Sequence, residues 1–235
     1  MDFSVLSQAP FWTALLSIIV ANILLSGDNA VVIAMASRNL AKDQQKRAIF
    51  WGSAAAIVLR VILTVTAVQL LALPYLKIIG AILLVYIGVQ LLADSSEEDE
   101  LHGHSNIWAA IRTILVADLV MSLDNVIAVA AAAQKGPEET RLILLIVGLG
   151  LSIPLIIFGS SLLLKVMDRF PVIITVGAGL LGLLAGGMLV EDPAIKDSMQ
   201  AAMADAHMIF EGIGVVIVIL LGTYLKRKQS STTAG

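Results

Sequence analysis

Two short stretches carry the residues able to do chemistry. Ser26-Gly27-Asp28-Asn29 lies inside an apolar run from about 11 to 36, and Ser122-Leu123-Asp124-Asn125 inside another from about 107 to 133. A carboxylate beside a carboxamide is costly to bury at membrane depth. Such residues face a bundle interior or an aqueous cavity and are functional candidates. At about 100° per residue, Asn22, Ser26 and Asn29 share one helical stripe, and Asp118, Ser122 and Asn125 repeat it, with Asp28 and Asp124 one step to the side. Carboxylates, carboxamide oxygens and hydroxyls make an oxygen-rich set suited to a hard cation such as Mg²⁺, Ca²⁺ or Mn²⁺. The candidate ligands are therefore Asp28, Asn29, Asp124, Asn125, Asp118, Asn22, Ser26 and Ser122. Two or three of the acids would offset a divalent charge. The bland alternative is interhelical hydrogen bonding, which accounts for serines and asparagines more readily than for paired buried acids.

Other polar residues leave alternatives open. Arg60, deep in the second apolar run, pairs with an intramembrane Asp, either as a counter-ion that moves when a metal enters or as a static ion pair. His207 and Glu211 are four residues apart on one helical face. They form an accessory metal site, a proton-transfer pair or a solvated interfacial pair. His102 and His104 sit in an acidic link and attract cations or are simply solvated. Gly182, Gly186 and their small neighbours give close helix packing without chemistry.

The elements that must position these groups follow from composition. The 235 residues are 58% hydrophobic and 14% charged, against about half and a quarter in soluble domains. The apolar runs reach the roughly 20 residues that cross a hydrocarbon layer, and no alternating barrel pattern is present. There is no cysteine, hence no disulfide or thiolate site. Met1-Asp2-Phe3 carries no basic region or cleavage signature of a signal peptide. Seven spans are expected, at about 11–36, 47–70, 74–93, 107–133, 141–164, 171–190 and 208–225. The side shared by the first, third and fifth links and the C-terminus carries Arg38, Lys42, Lys46, Arg47, Arg112, Lys165, Arg169, Lys226, Arg227 and Lys228, against Lys77, Lys135, Arg141 and Lys196 on the other. That bias puts the N-terminus outside and the C-terminus in the cytoplasm, which in a bacterium means the inner membrane.

An internal repeat extends beyond the motifs. Asn22/Asp118, Asp28/Asp124 and Gly52/Gly148 are each 96 residues apart, and Pro74/Pro171, Gly80/Gly177 and Asp94/Glu191 are 97 apart. Units of three spans are odd in number, so the second enters from the opposite face, as in many secondary transporters. The expected fold is an all-α membrane protein of seven transmembrane helices. It comprises two inverted three-helix repeats (1–94 and 107–191), an acidic cytoplasmic loop (95–106), an outer loop with the seventh helix (192–227) and a C-terminal tail (228–235).

With Ser-Gly-Asp-Asn-Ala at 26–30 and Ser-Leu-Asp-Asn-Val at 122–126, the chain resembles the TerC family of integral membrane proteins along nearly its whole length. The resemblance implies a link to tellurium resistance and, as in several members, to manganese efflux or delivery of manganese to exported enzymes. It also implies kinship with the LysE-type exporters. By that resemblance Asp28, Asn29, Asp124 and Asn125 are metal-site residues, with Asn22 and Asp118 as companions. The expectation is a divalent-cation exporter, Mn²⁺ first, using alternating access around a midplane Asp/Asn site and coupled to protons through an Asp. The competing readings are an exporter of amino acids or other small solutes, and a membrane adaptor of a metal- or tellurite-resistance complex. No catalytic nucleophile or pair points to an enzyme. No cofactor or nucleic-acid partner is expected; membrane lipid, the transported ion and a further copy of the chain are the expected partners.

Overall fold

The computed structural model describes residues 9–71, 73–94, 106–203 and 205–233. The side chains of 67–71, 124, 200 and 230–233 lie outside that description, as does the link bearing His102 and His104. Every regular element among the described residues is helical. The first apolar run forms α1 (Ala9–Leu24) and α2 (Gly27–Ser37), which meet at a 50° bend. The next two runs are α3 (Lys42–Leu71) and α4 (Leu76–Ala93). The fourth is α5 (Ile107–Ala133), bent by 66° between Leu123 and Asn125. Asn106 caps α5, its Oδ1 accepting from the Trp108 N–H at 3.0 Å, which leaves one fewer orphan donor at the helix start.

A 3₁₀ turn (Glu138–Thr140) leads into α6 (Arg141–Gly150) and α7 (Ile153–Arg169). Pro154 has no N–H for the Gly150 carbonyl, so the helix is interrupted there. The pair still passes as one span. The chain continues through α8 (Val172–Val190), the short α9 (Lys196–Ala202) and α10 (Ala206–Thr233). Helix α10 thus runs on into the segment expected as a tail. Among the described residues five helices are long and apolar enough to cross a membrane, and up to seven if each bent pair is one span.

Apolar side chains lie both inside and outside the bundle. Ile18, Met35, Leu84, Ile114, Leu144, Leu181 and Val218 are buried, while Trp12, Leu16, Val58, Phe158 and Val216 are exposed. In a bundle of this hydropathy the exposed apolar belt is the face that lipid covers. Helix α3 packs along α5, α6 and α7 pack along α1 and α2, and α4 packs on α8. The closest pair is α8 with α10, as the small-residue run anticipates. A methyl group at Gly182 or Gly186 would strike the backbone carbonyl of Gly214 or Phe210, so the two backbones touch where side chains normally intervene.

Beyond α8, Asp192 is fully buried. Its carboxylate accepts from the N–H groups of Tyr75 (2.9 Å), Lys77 (3.0 Å) and Ile78 (3.3 Å) at the start of α4, and from Ala194 at 2.8 Å. These are orphan donors of a helix N-terminus, which also favours a negative charge. Burial alone would raise the Asp192 carboxyl, but the donors hold it below the usual carboxylate value. One side chain therefore locks the end of α8 to the start of α4.

Candidate cation site

The break between α1 and α2 is stabilised by the motif residues themselves. In an unbroken helix the Asn29 N–H would bond the Leu25 carbonyl. Here that N–H donates to Asp28 Oδ1 at 2.8 Å, and the freed Leu25 carbonyl accepts from Asn125 Nδ2 at 3.1 Å. The regular ladder resumes with Ala30 N–H to the Ser26 carbonyl at 3.1 Å. An unsatisfied backbone group at this depth would cost several kcal/mol, by order of magnitude. Asp28 from one motif and Asn125 from the other remove two such groups.

The two polar stripes converge on Arg60, which is 1% exposed. Its Nη1 donates to Asn22 Oδ1 at 2.6 Å and Ser26 Oγ at 3.1 Å. Its Nε donates to Ser122 Oγ at 3.0 Å, and Nη2 pairs with Asp118 Oδ1 at 2.5 Å. Ser122 Oγ in turn donates to Asp118 Oδ2 at 3.2 Å, and Ser26 Oγ to Asn22 Oδ1 at 3.3 Å. Helix α3 delivers this guanidinium because it packs along α5. Four of the eight candidate ligands are thus occupied by a side-chain cation in this conformation. A guanidinium presents five donors in a fixed fork, and this cage uses all three of its nitrogens.

Asp28 lies apart from that cage, though Arg60 and Asp118 remain within its electrostatic reach. It lines a cavity of about 170 Å³ together with Asn125, Met121, Leu184, Gly187, Met188, Glu191, His207 and Glu211. The cavity therefore joins α2 and α5 to α8 and α10. At its far end His207 Nδ1 is 3.0 Å from Glu211 Oε1 and Nε2 is 3.5 Å from Glu191 Oε1. Glu191 also meets Lys77 Nζ at 2.9 Å. Burial raises the Glu191 carboxyl, but Lys77 and His207 outweigh it and hold the group below its usual value.

Asn29 is 3% exposed, yet neither its Oδ1 nor its Nδ2 has a partner among the described residues. Buried polar atoms without partners are rare, and this carboxamide is one of the candidate ligands. The side chain of Asp124 lies outside the described residues. Among the described residues no three His, Cys, Asp or Glu side chains stand together so as to hold a metal ion.

Sequence reasoning set Asp28 and Asn125 in one polar zone and proposed an Asp partner for Arg60. It did not place Glu191 or Gly187 in the site. The one available signal was the match of Glu191 to Asp94 across the repeat, which marks a span end but not what faces it.

An all-helical, multi-pass membrane protein whose polar broken spans share one cavity is the class that fold and site define. The chain belongs to the integral membrane protein TerC family, whose model matches residues 7–230. It is 40% identical over 216 residues to the uncharacterized membrane protein YjbE of Bacillus subtilis (strain 168), covering 92% of this chain and 96% of that one. It is 25% identical over 191 residues to YceF of the same organism (77% and 72% covered), and 24% identical over 204 residues to YkoY (80% and 62%). No solved structure matches the chain.

Proposed function

We propose that the protein carries a divalent cation, Mn²⁺ first, outward across the bacterial cytoplasmic membrane by alternating access between two inverted three-span halves. The observation that carries this reading is the meeting of Asp28 and Asn125, from two different broken spans, in one cavity. A carboxylate with carboxamide oxygens, carbonyls at a helix break and water is a hard-ligand set. Asp124, the repeat mate of Asp28, would supply the second charge, and the unpartnered Asn29 carboxamide a further oxygen. At about 170 Å³ the cavity falls below the roughly 300–1,000 Å³ usual for organic ligands. That favours an ion with some of its water over an amino acid.

The inverted arrangement is supported by reciprocity. Asn22 with Ser26, and Asp118 with Ser122, take the same guanidinium. The second helix of each half packs on the broken span of the other. Ion release would follow protonation of an Asp, which couples efflux to the proton gradient. Cells expressing the wild type should accumulate less manganese than cells expressing Asp124→Asn, at equal membrane levels of the two proteins. Equal manganese content would refute the ligand role. Transport of lysine in preference to Mn²⁺ would favour a solute exporter, and resistance phenotypes surviving loss of both acids would favour an adaptor.

A further inference from the structure

The two motif asparagines are repeat mates, yet the structure uses them differently. Asn125 donates to the Leu25 carbonyl across the break in the other half. Asn29 is buried with both polar atoms unpartnered among the described residues. The 96-residue offset that relates Asn29 to Asn125 also relates Leu25 to Met121, and Met121 lines the same cavity as Asp28. We propose that the two carboxamides are alternating latches. Asn125 on Leu25 holds the conformation in which the cavity opens beside Gly187, and Asn29 on the Met121 carbonyl holds the opposite-facing one. This rests on the alternating-access reading above.

Three observations converge on it. First, the Leu25 carbonyl is free only because the helix is broken there, so its acceptor needs a donor from elsewhere. Second, an orphaned buried carboxamide is what an unused latch looks like, since the penalty for leaving it unpaired is relieved in the other state. Third, a latch uses the amide N–H alone, so the Asn125 oxygen stays available as a ligand. The asparagines are then positioning residues whose exchange accompanies movement of the site from one side to the other. An inverted repeat demands such an exchange, because each state of one half becomes the state of the other.

The chain has no cysteine, so an introduced thiol is a clean reporter. A Cβ at Gly187 would lie 3.3 Å from His207 Cε1 and 3.4 Å from Glu211 Oε1. Gly187→Cys therefore points its thiol into the cavity. The full-length protein in detergent is reacted with a charged methanethiosulfonate in this background. Asn125→Ala should slow labelling about fivefold and Asn29→Ala should speed it, the size expected from losing one hydrogen bond on either side of a two-state equilibrium. The double variant should return close to the parent rate, whereas structural damage would compound. Shifts in the same direction, no shift in either single variant, or compounding in the double variant would overturn the latch. Mn²⁺ flux through Asp28→Asn is measured separately. Normal flux there defeats the cation reading, while lost flux with unopposed labelling shifts defeats the latch alone.

Discussion

At the scale of single residues, the decisive contrast is between two acids, Asp118 buried and Asp28 half-buried. Asp118 is bound to a fixed cation from its own chain, whereas Asp28 faces a cavity. Removing one partner of a buried pair leaves an uncompensated charge, at about 3–5 kcal/mol. Arg60→Gln and Asp118→Asn should therefore each reduce the yield of folded protein sharply, and the double variant should recover much of it. Size-exclusion profiles and thermal midpoints measure this. Equal losses in all three variants would show that the pair is not the stabilising unit. Asp28→Asn leaves no such orphan and should fold normally. The stripes Asn22/Ser26 and Asp118/Ser122 were legible from helical spacing. That a guanidinium fills the space between them was not, because it depends on the register of α3 against α5, a long-range packing fact with no local signature.

At the scale of elements, two kinds of glycine act differently. Gly27 begins α2 beside the bend, and nothing lies within 4 Å of the position its Cβ would take. Crowding therefore gives no reason for a glycine at this bend. The side chains of Asp28 and Asn125 stabilise the break instead. Leu123 stands at the matching position of α5, also next to a bend. Gly27→Ala should keep the fold and the flux, with a thermal midpoint at or slightly above wild type. Gly186 touches the α10 backbone, so Gly186→Ala must push α8 from α10 and lower stability by about 2 kcal/mol. Thermal melts of the two variants side by side check both; a neutral Gly186→Ala would contradict the backbone contact. The small-residue run made that packing visible in sequence. The breaks were legible only as polar interruptions, since a bend angle depends on what rescues the freed backbone groups.

At the scale of the whole molecule, Asp192 ties α4 to α8 by capping the start of α4 from the end of α8. Its carboxyl is depressed on folding, from an unfolded value near about 3.9. The stabilisation it provides is thus complete above that value and is lost as pH falls through the lower folded value. Melting curves should shift downward on acidification below about pH 4. Asp192→Asn should be less stable by about 2 kcal/mol at neutral pH, the gap narrowing in acid. A constant gap across pH would show that the charge contributes nothing. In sequence Asp192 was one of several acids in a link, because three of its four donors lie more than a hundred residues away. The helical membrane class, by contrast, followed from the length of the apolar runs.

The account stands on Asp28, with its repeat mate Asp124, handling a divalent cation at the junction of two broken spans. Wild type and the Asp28→Asn/Asp124→Asn double variant should be reconstituted at equal density into vesicles loaded with a manganese-quenched dye. Wild type should quench the dye on Mn²⁺ addition under a proton gradient, and the double variant should do so at least about tenfold more slowly, a barrier increase of about 1.4 kcal/mol or more. Equal rates in the two would contradict it.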